Sequence, residues 1–134
     1  MGDYDLSAIG ARRRKKSDFD NRIKLINNSN ANMYISIHLN SINSSTWSGM
    51  QIFYDDINKN NKKIAESISS YLKLDRKTSQ INDMYLNKNI KIPGILIEVG
   101  FLSNYYDRMN LVSDEYQDKF ANQIVKAIIN YYNN

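Results

Sequence analysis

Two side chains in this sequence have the type and placement to do chemistry together: His38 and Glu98. His38 lies near the end of Met33-Tyr34-Ile35-Ser36-Ile37-His38-Leu39-Asn40-Ser41, and it is the only histidine of the chain. Glu98 interrupts the branched apolar run Ile95-Leu96-Ile97-Glu98-Val99 just before Gly100. A carboxylate in such a run is costly to bury unless a metal, a cation or a proton compensates it. In open α/β sheets chemistry gathers beyond the carboxyl ends of the strands, where both residues fall. An imidazole and a carboxylate at neighbouring strand ends suit a zinc-activated water, the metal lowering the pKa of the water and the carboxylate taking its proton. The plainer alternatives are a Glu98 paired with a Lys or Arg and a His38 that is a satisfied structural residue. Other chemistries lack their signatures: there is no nucleophile elbow, no phosphate-cradling glycine loop and no CxxC.

The elements that must position these residues read as an α/β domain with a mostly parallel sheet flanked by helices. Pro93 and Gly94 punctuate the start of the Glu98 strand, whose unalternating apolar run is that of a strand buried on both faces. The His38 strand alternates, with Met33, Ile35, Ile37 and Leu39 on one face and Tyr34, Ser36, His38 and Asn40 on the other. A loop through Ser44 to Gly49 leads to a shorter strand, Met50 to Tyr54. Met84-Tyr85-Leu86 reads as a further brief strand, and Lys73 to Asn82 as polar connector. Ser17 with Asp20 makes a capping box for a first helix carrying Phe19, Ile23 and Ile26. A second helix opens between Asn58 and Asn61 and places Ile64, Ile68 and Leu72 at four-residue spacing. Ser103 or Asn104 caps a short helix with Tyr105, Met109 and Val112. Ser113 caps the last helix, with Tyr116, Phe120, Ile124 and Ile128 as a core stripe.

Composition narrows the class. The chain has 134 residues, room for one domain, with 42% hydrophobic and 24% charged residues, as in an ordinary globular protein. It contains no cysteine, so disulfides and thiolate metal sites are excluded. No apolar run is long enough to cross a bilayer, and the acidic start Met1-Gly2-Asp3-Tyr4-Asp5 carries no secretory signal. The net charge is +4, with Arg12-Arg13-Arg14-Lys15-Lys16 as its densest patch. Residues Met1 to Lys16 read as an exposed loop. Without interleaved aromatics the basic run is a solvated segment, and no nucleic-acid partner is expected.

The segment Ser36-Ile37-His38-Leu39-Asn40-Ser41 resembles the SIHxNS motif of zinc-dependent N-acetylmuramoyl-L-alanine amidases of the amidase_3 type. Ile97-Glu98-Val99-Gly100-Phe101-Leu102-Ser103-Asn104 is similar to that family's V/I-E-x-G-F-x-S-N signature. Arg22, followed by an Asn-rich turn before the SIHxNS strand, also fits the pattern. The likeness covers the chain from the Ser17 helix to the last one and looks closest to sporulation amidases acting on spore-cortex peptidoglycan. It implies hydrolysis of the amide between N-acetylmuramic acid and L-alanine, with Zn2+ as cofactor. It also implies His38 as a metal ligand, Glu98 as the catalytic general base, and Asn40, with Ser36, near the substrate. The implied partner is peptidoglycan and the implied location extracytoplasmic, in cell wall or spore cortex.

The sequence departs from the family in one respect. The family's zinc takes a His from an H-G-G-x-D-x-G segment, a Glu from the following helix and the SIHxNS His. Here there is no second His and no H-G-G segment. Residues 1–134 therefore read as the carboxyl-terminal portion of a single amidase domain, truncated at its N-terminal strands. The expectation is a chain inactive and poorly folded alone, with the missing ligands coming from an N-terminal segment or a partner chain. The alternative is a non-catalytic peptidoglycan-binding or regulatory module derived from such an amidase.

Overall fold

The computed structural model describes residues 11–82 and 88–134. Helix α1 spans Ala11–Asn27, followed by strands β1 (Tyr34–Asn40) and β2 (Gln51–Tyr54) and helix α2 (Asn61–Leu72). Strands β3 (Ser79–Gln80) and β4 (Gly94–Phe101) come next, then helices α3 (Tyr105–Leu111) and α4 (Asp114–Tyr132). The strands form a four-stranded sheet of order β1-β4-β2-β3. β1 and β4 are parallel, as are β2 and β3, while β2 runs antiparallel to β4. The α/β class and mostly parallel sheet expected from the sequence are thus present.

One face of the sheet holds the main core. Ile95, Ile97 and Val99 of β4 and Ile52 of β2 pack against Ile64, Ala65 and Ile68 of α2 and Ile124 and Ala127 of α4. Ser113 caps α4 as expected, accepting from the Tyr116 amide. A smaller cluster joins Ile23 of α1 to Ile90, with Phe19, Ile26, Tyr34 and Ile92 around them. The end of α1 is fastened there by Asn27, whose Nδ2 donates to the Asn89 carbonyl at 2.9 Å and whose Oδ1 accepts from the Lys91 amide at 2.8 Å. Gly94 has a steric reason, since a Cβ at this position would sit within the Tyr34 ring.

Several expectations need correction. The basic run is helical, not a loop: α1 begins at Ala11, so Ser17 is interior and caps nothing. Arg and Lys are good helix formers, and 11–27 contains neither Gly nor Pro. The bonding that replaces the capping box is i,i+4, with Asp18 held bidentately by Arg22 and Lys16 paired with Asp20. Arg13, Arg14, Lys15 and Lys16 are exposed, as the solvated reading required. The polar connector contains β3, two residues long. The alternation of β1 does not bring burial: it pairs with β4 alone among the described residues, and Ile37 and Leu39 are 58% and 52% exposed. Helix α3 forms where expected but buries none of its residues. The proposed strand at Met84–Leu86 lies outside the described residues.

Candidate active site at the ends of the parallel strands

The pairing of β1 with β4 runs Tyr34↔Gly94, Ser36↔Leu96 and His38↔Glu98. Residues directly opposite on neighbouring strands share a face and stand about 4.8 Å apart along the ladder. His38 and Glu98 are therefore brought together, which spacing in the sequence could not establish. On the other side of Glu98 stands Gln51 of β2. The three form one row across the sheet, on the face opposite the main core.

Within that row Glu98 is the anomalous group. Its Oε2 is buried and has no hydrogen-bond partner, the only such buried side-chain atom among the described residues. Burial pushes its carboxyl above the usual glutamate range, and the charge of neighbouring His38 partly opposes the shift. The plainer alternative, a salt bridge to a Lys or Arg, is not found among the described residues, where Glu98 takes part in none of the ion pairs. His38 does have a partner: its Nε2 lies 2.7 Å from the Ser36 hydroxyl, two residues back on the same face.

Beyond this row the ladder shifts register. Asn40 pairs with Phe101, so β4 carries one extra residue between Glu98 and Phe101. Such a bulge re-aims side chains next to a strand end. By register it places Phe101 level with Asn40, on the His38 side of the sheet, and Phe101 accordingly does not belong to the main core. The Asn40 Oδ1 accepts from the Ser41 amide at 2.8 Å, and its carbonyl accepts from the Leu102 amide at 2.7 Å.

The residues after β4 hold the 41–50 loop in place. The Ser103 hydroxyl accepts from the Ile42 amide at 3.3 Å. Asn104 caps α3 by accepting from the Asp107 amide at 3.0 Å, and its Nδ2 donates to the Ser45 carbonyl at 2.8 Å. Asp107 Oδ2 accepts from the amides of both Phe101 and Gly49, each at 2.9 Å. Gly49 itself has φ +91°, a conformation glycine adopts without strain. Sequence reading assigned no such role to Asp107; an Asx capping pattern starting at Asn104 was the available signal. It also passed over Arg76, Trp47 and Gln51. The Arg76 guanidinium lies over the rings of Trp47 and Phe101, 4.7 and 5.1 Å from their centroids. Gln51 Nε2 donates to the Lys77 carbonyl at 3.0 Å.

A surface groove of about 660 Å³ is lined by Tyr54, Lys62, Glu66, Lys73, Arg76 and Lys77. It includes neither His38 nor Glu98.

The α/β sheet thus holds an imidazole and an unpaired carboxyl in register near the ends of two parallel strands. Residues 4–130 match the N-acetylmuramoyl-L-alanine amidase family (Amidase_3), and the chain belongs to it. It is 45% identical to the germination-specific N-acetylmuramoyl-L-alanine amidase of Bacillus subtilis, over 97% of this chain and 58% of that protein. It is 30% identical to the N-acetylmuramoyl-L-alanine amidase LytC of B. subtilis, over 83% of this chain and 24% of that protein. Among solved structures it resembles the CwlD amidase from Clostridioides difficile in complex with the GerS lipoprotein. That match has a TM-score of 0.91 and 34% identity, covering 99% of this chain and 71% of the other. The chain thus spans little more than half the length of the germination-specific relative.

Proposed function

We propose that this chain carries the strand-end part of an amidase site that hydrolyses the bond between N-acetylmuramic acid and L-alanine in peptidoglycan. The observation that carries the reading is the buried, unpartnered Oε2 of Glu98 in register with His38. A carboxyl whose proton affinity is raised by burial is suited to take a proton from an attacking water and deliver it to the leaving amine. Asn40 and Ser36 stand on the same face, and the Asn40 Nδ2 is available to a substrate carbonyl.

Zinc is the cofactor we assign to this site. His38 fits as one ligand, the Ser36 hydroxyl fixing its ring, and Glu98 fits as the neighbouring base. Among the described residues, however, no group of three or more His, Asp or Glu side chains could hold a metal ion. A complete zinc site needs further donors beside His38. When bound, the ion would supply Lewis-acid polarisation and lower the pKa of water. Because the relatives' names are those of germination and cell wall amidases, we place the action outside the cytoplasmic membrane, on cell wall or spore cortex.

The test is Glu98→Ala in the full-length protein. Stem-peptide release from purified peptidoglycan should fall by at least about 100-fold, the usual contribution of a positioned general base. Zinc uptake, measured by calorimetry, should be lost instead in His38→Ala. Full activity in Glu98→Ala would refute the assignment. A second reading, a non-catalytic peptidoglycan-binding module, is favoured by the incomplete donor set. It requires co-sedimentation with cell walls that a chelator leaves unchanged and no peptide release at any zinc concentration.

A further inference from the structure

The Arg76 guanidinium lies over the rings of Trp47 and Phe101, 4.7 and 5.1 Å from their centroids, and among the described residues it has no hydrogen bond or ion pair. Stacking fixes the plane of a guanidinium through its faces and leaves the in-plane N–H groups pointing outward. Those N–H groups form the fork that matches a carboxylate bidentately.

The stack is built into the fold and adjoins the Glu98 row. Phe101 lies, by register, on the His38 side of the sheet, re-aimed by the bulge. Trp47, 52% exposed, belongs to the loop that Asn104 fastens through Ser45 and Asp107 fastens through Gly49. The residue after Arg76 is tied to Gln51, the cross-strand neighbour of Glu98. Cation, aromatic platform and carboxyl base therefore share one end of one sheet.

We propose that Arg76 is a specificity-determining residue that takes a carboxylate of the peptide portion of the substrate, with Trp47 and Phe101 as its platform. The proposal rests on reading the His38–Glu98 row as the amidase site. It predicts discrimination between two muramoyl dipeptides that differ only in carrying carboxylates or carboxamides.

The experiment titrates the full chain, in chelator, with N-acetylmuramoyl-L-alanyl-D-glutamate and with its α,γ-diamide, whose peptide portion carries no carboxylate. Binding is followed by the fluorescence of Trp47, the one tryptophan, and by the NMR ring signals of His38, the one histidine. The acid should bind about tenfold more tightly than the amide, as a charge-assisted pair requires, with the preference falling as salt rises. Arg76→Gln should erase the preference while leaving the amide's affinity within about twofold, and Arg76→Lys should restore part of it. If both ligands bind equally and shift the His38 signals, the Arg76 assignment is overturned and the site stands. If Arg76→Gln weakens both ligands equally and lowers the melting temperature, Arg76 is a strap and the proposal fails. If neither ligand moves the His38 signals, the site reading itself falls, and the Arg76 proposal with it.

Discussion

The two faces of β4 are made by the same eight residues and have opposite characters. On one face Ile95, Ile97 and Val99 disappear into a core shared with α2 and α4. On the other, Glu98 keeps a buried oxygen with no hydrogen-bond partner among the described residues. Burial on the first face removes apolar surface from water, which stabilises the chain. Burial on the second desolvates a charge, which opposes stability and raises proton affinity. One strand thus both anchors the fold and holds its least comfortable group, and the core face supports what the site face costs.

That contrast breaks most sharply from the core side. Ile97→Ala deletes a fully buried side chain and should lower the unfolding free energy by about 3 to 4 kcal/mol in chemical denaturation. A loss below about 1 kcal/mol would mean that this face is not packed as described. Next in size is Asp107→Ala, which strands the amides of Phe101 and Gly49. It should cost about 1 to 2 kcal/mol and speed hydrogen exchange at Gly49, while α2 stays protected.

The smallest effect has the opposite sign. Glu98→Gln should stabilise the chain by up to about 1 kcal/mol near neutral pH, a figure discounted for the partial exposure of the residue. The raised folded-state proton affinity of Glu98 sets the pH window. Between the unfolded glutamate value and the higher folded one, the native state binds more protons than the unfolded state. Wild-type stability relative to Glu98→Gln therefore falls as pH rises through that window. Below it the two proteins should differ little. A constant difference from acid to neutral pH would show that desolvation of the carboxylate is not the cause.

Much of this arrangement was legible in the chain. The unalternating run around Glu98 specified a strand covered on both sides, because only such a strand tolerates apolar residues at every position. Ser113, and one of Ser103 and Asn104, marked helix starts, because each side chain can accept from an amide two or three residues on; the structure selects Asn104. The first helix was misplaced because a capping signature at Ser17 was weighed above the helix propensity of the preceding Arg and Lys residues. Exposure of Ile37 and Leu39 was hidden for a related reason: alternation tells which residues share a face, not whether anything covers it.

From the sequence alone came the identities of the two chemical groups, their strands and the helices that cover the core, since these follow from local periodicity and from side-chain type. Which residues meet was decided by the tertiary structure. The register that sets His38 beside Glu98, the bulge that turns Phe101 toward Asn40, and the loops that bring Arg76 onto Trp47 all join residues far apart in the chain. Such contacts depend on how strands align and loops close, and no short-range pattern of residues encodes them.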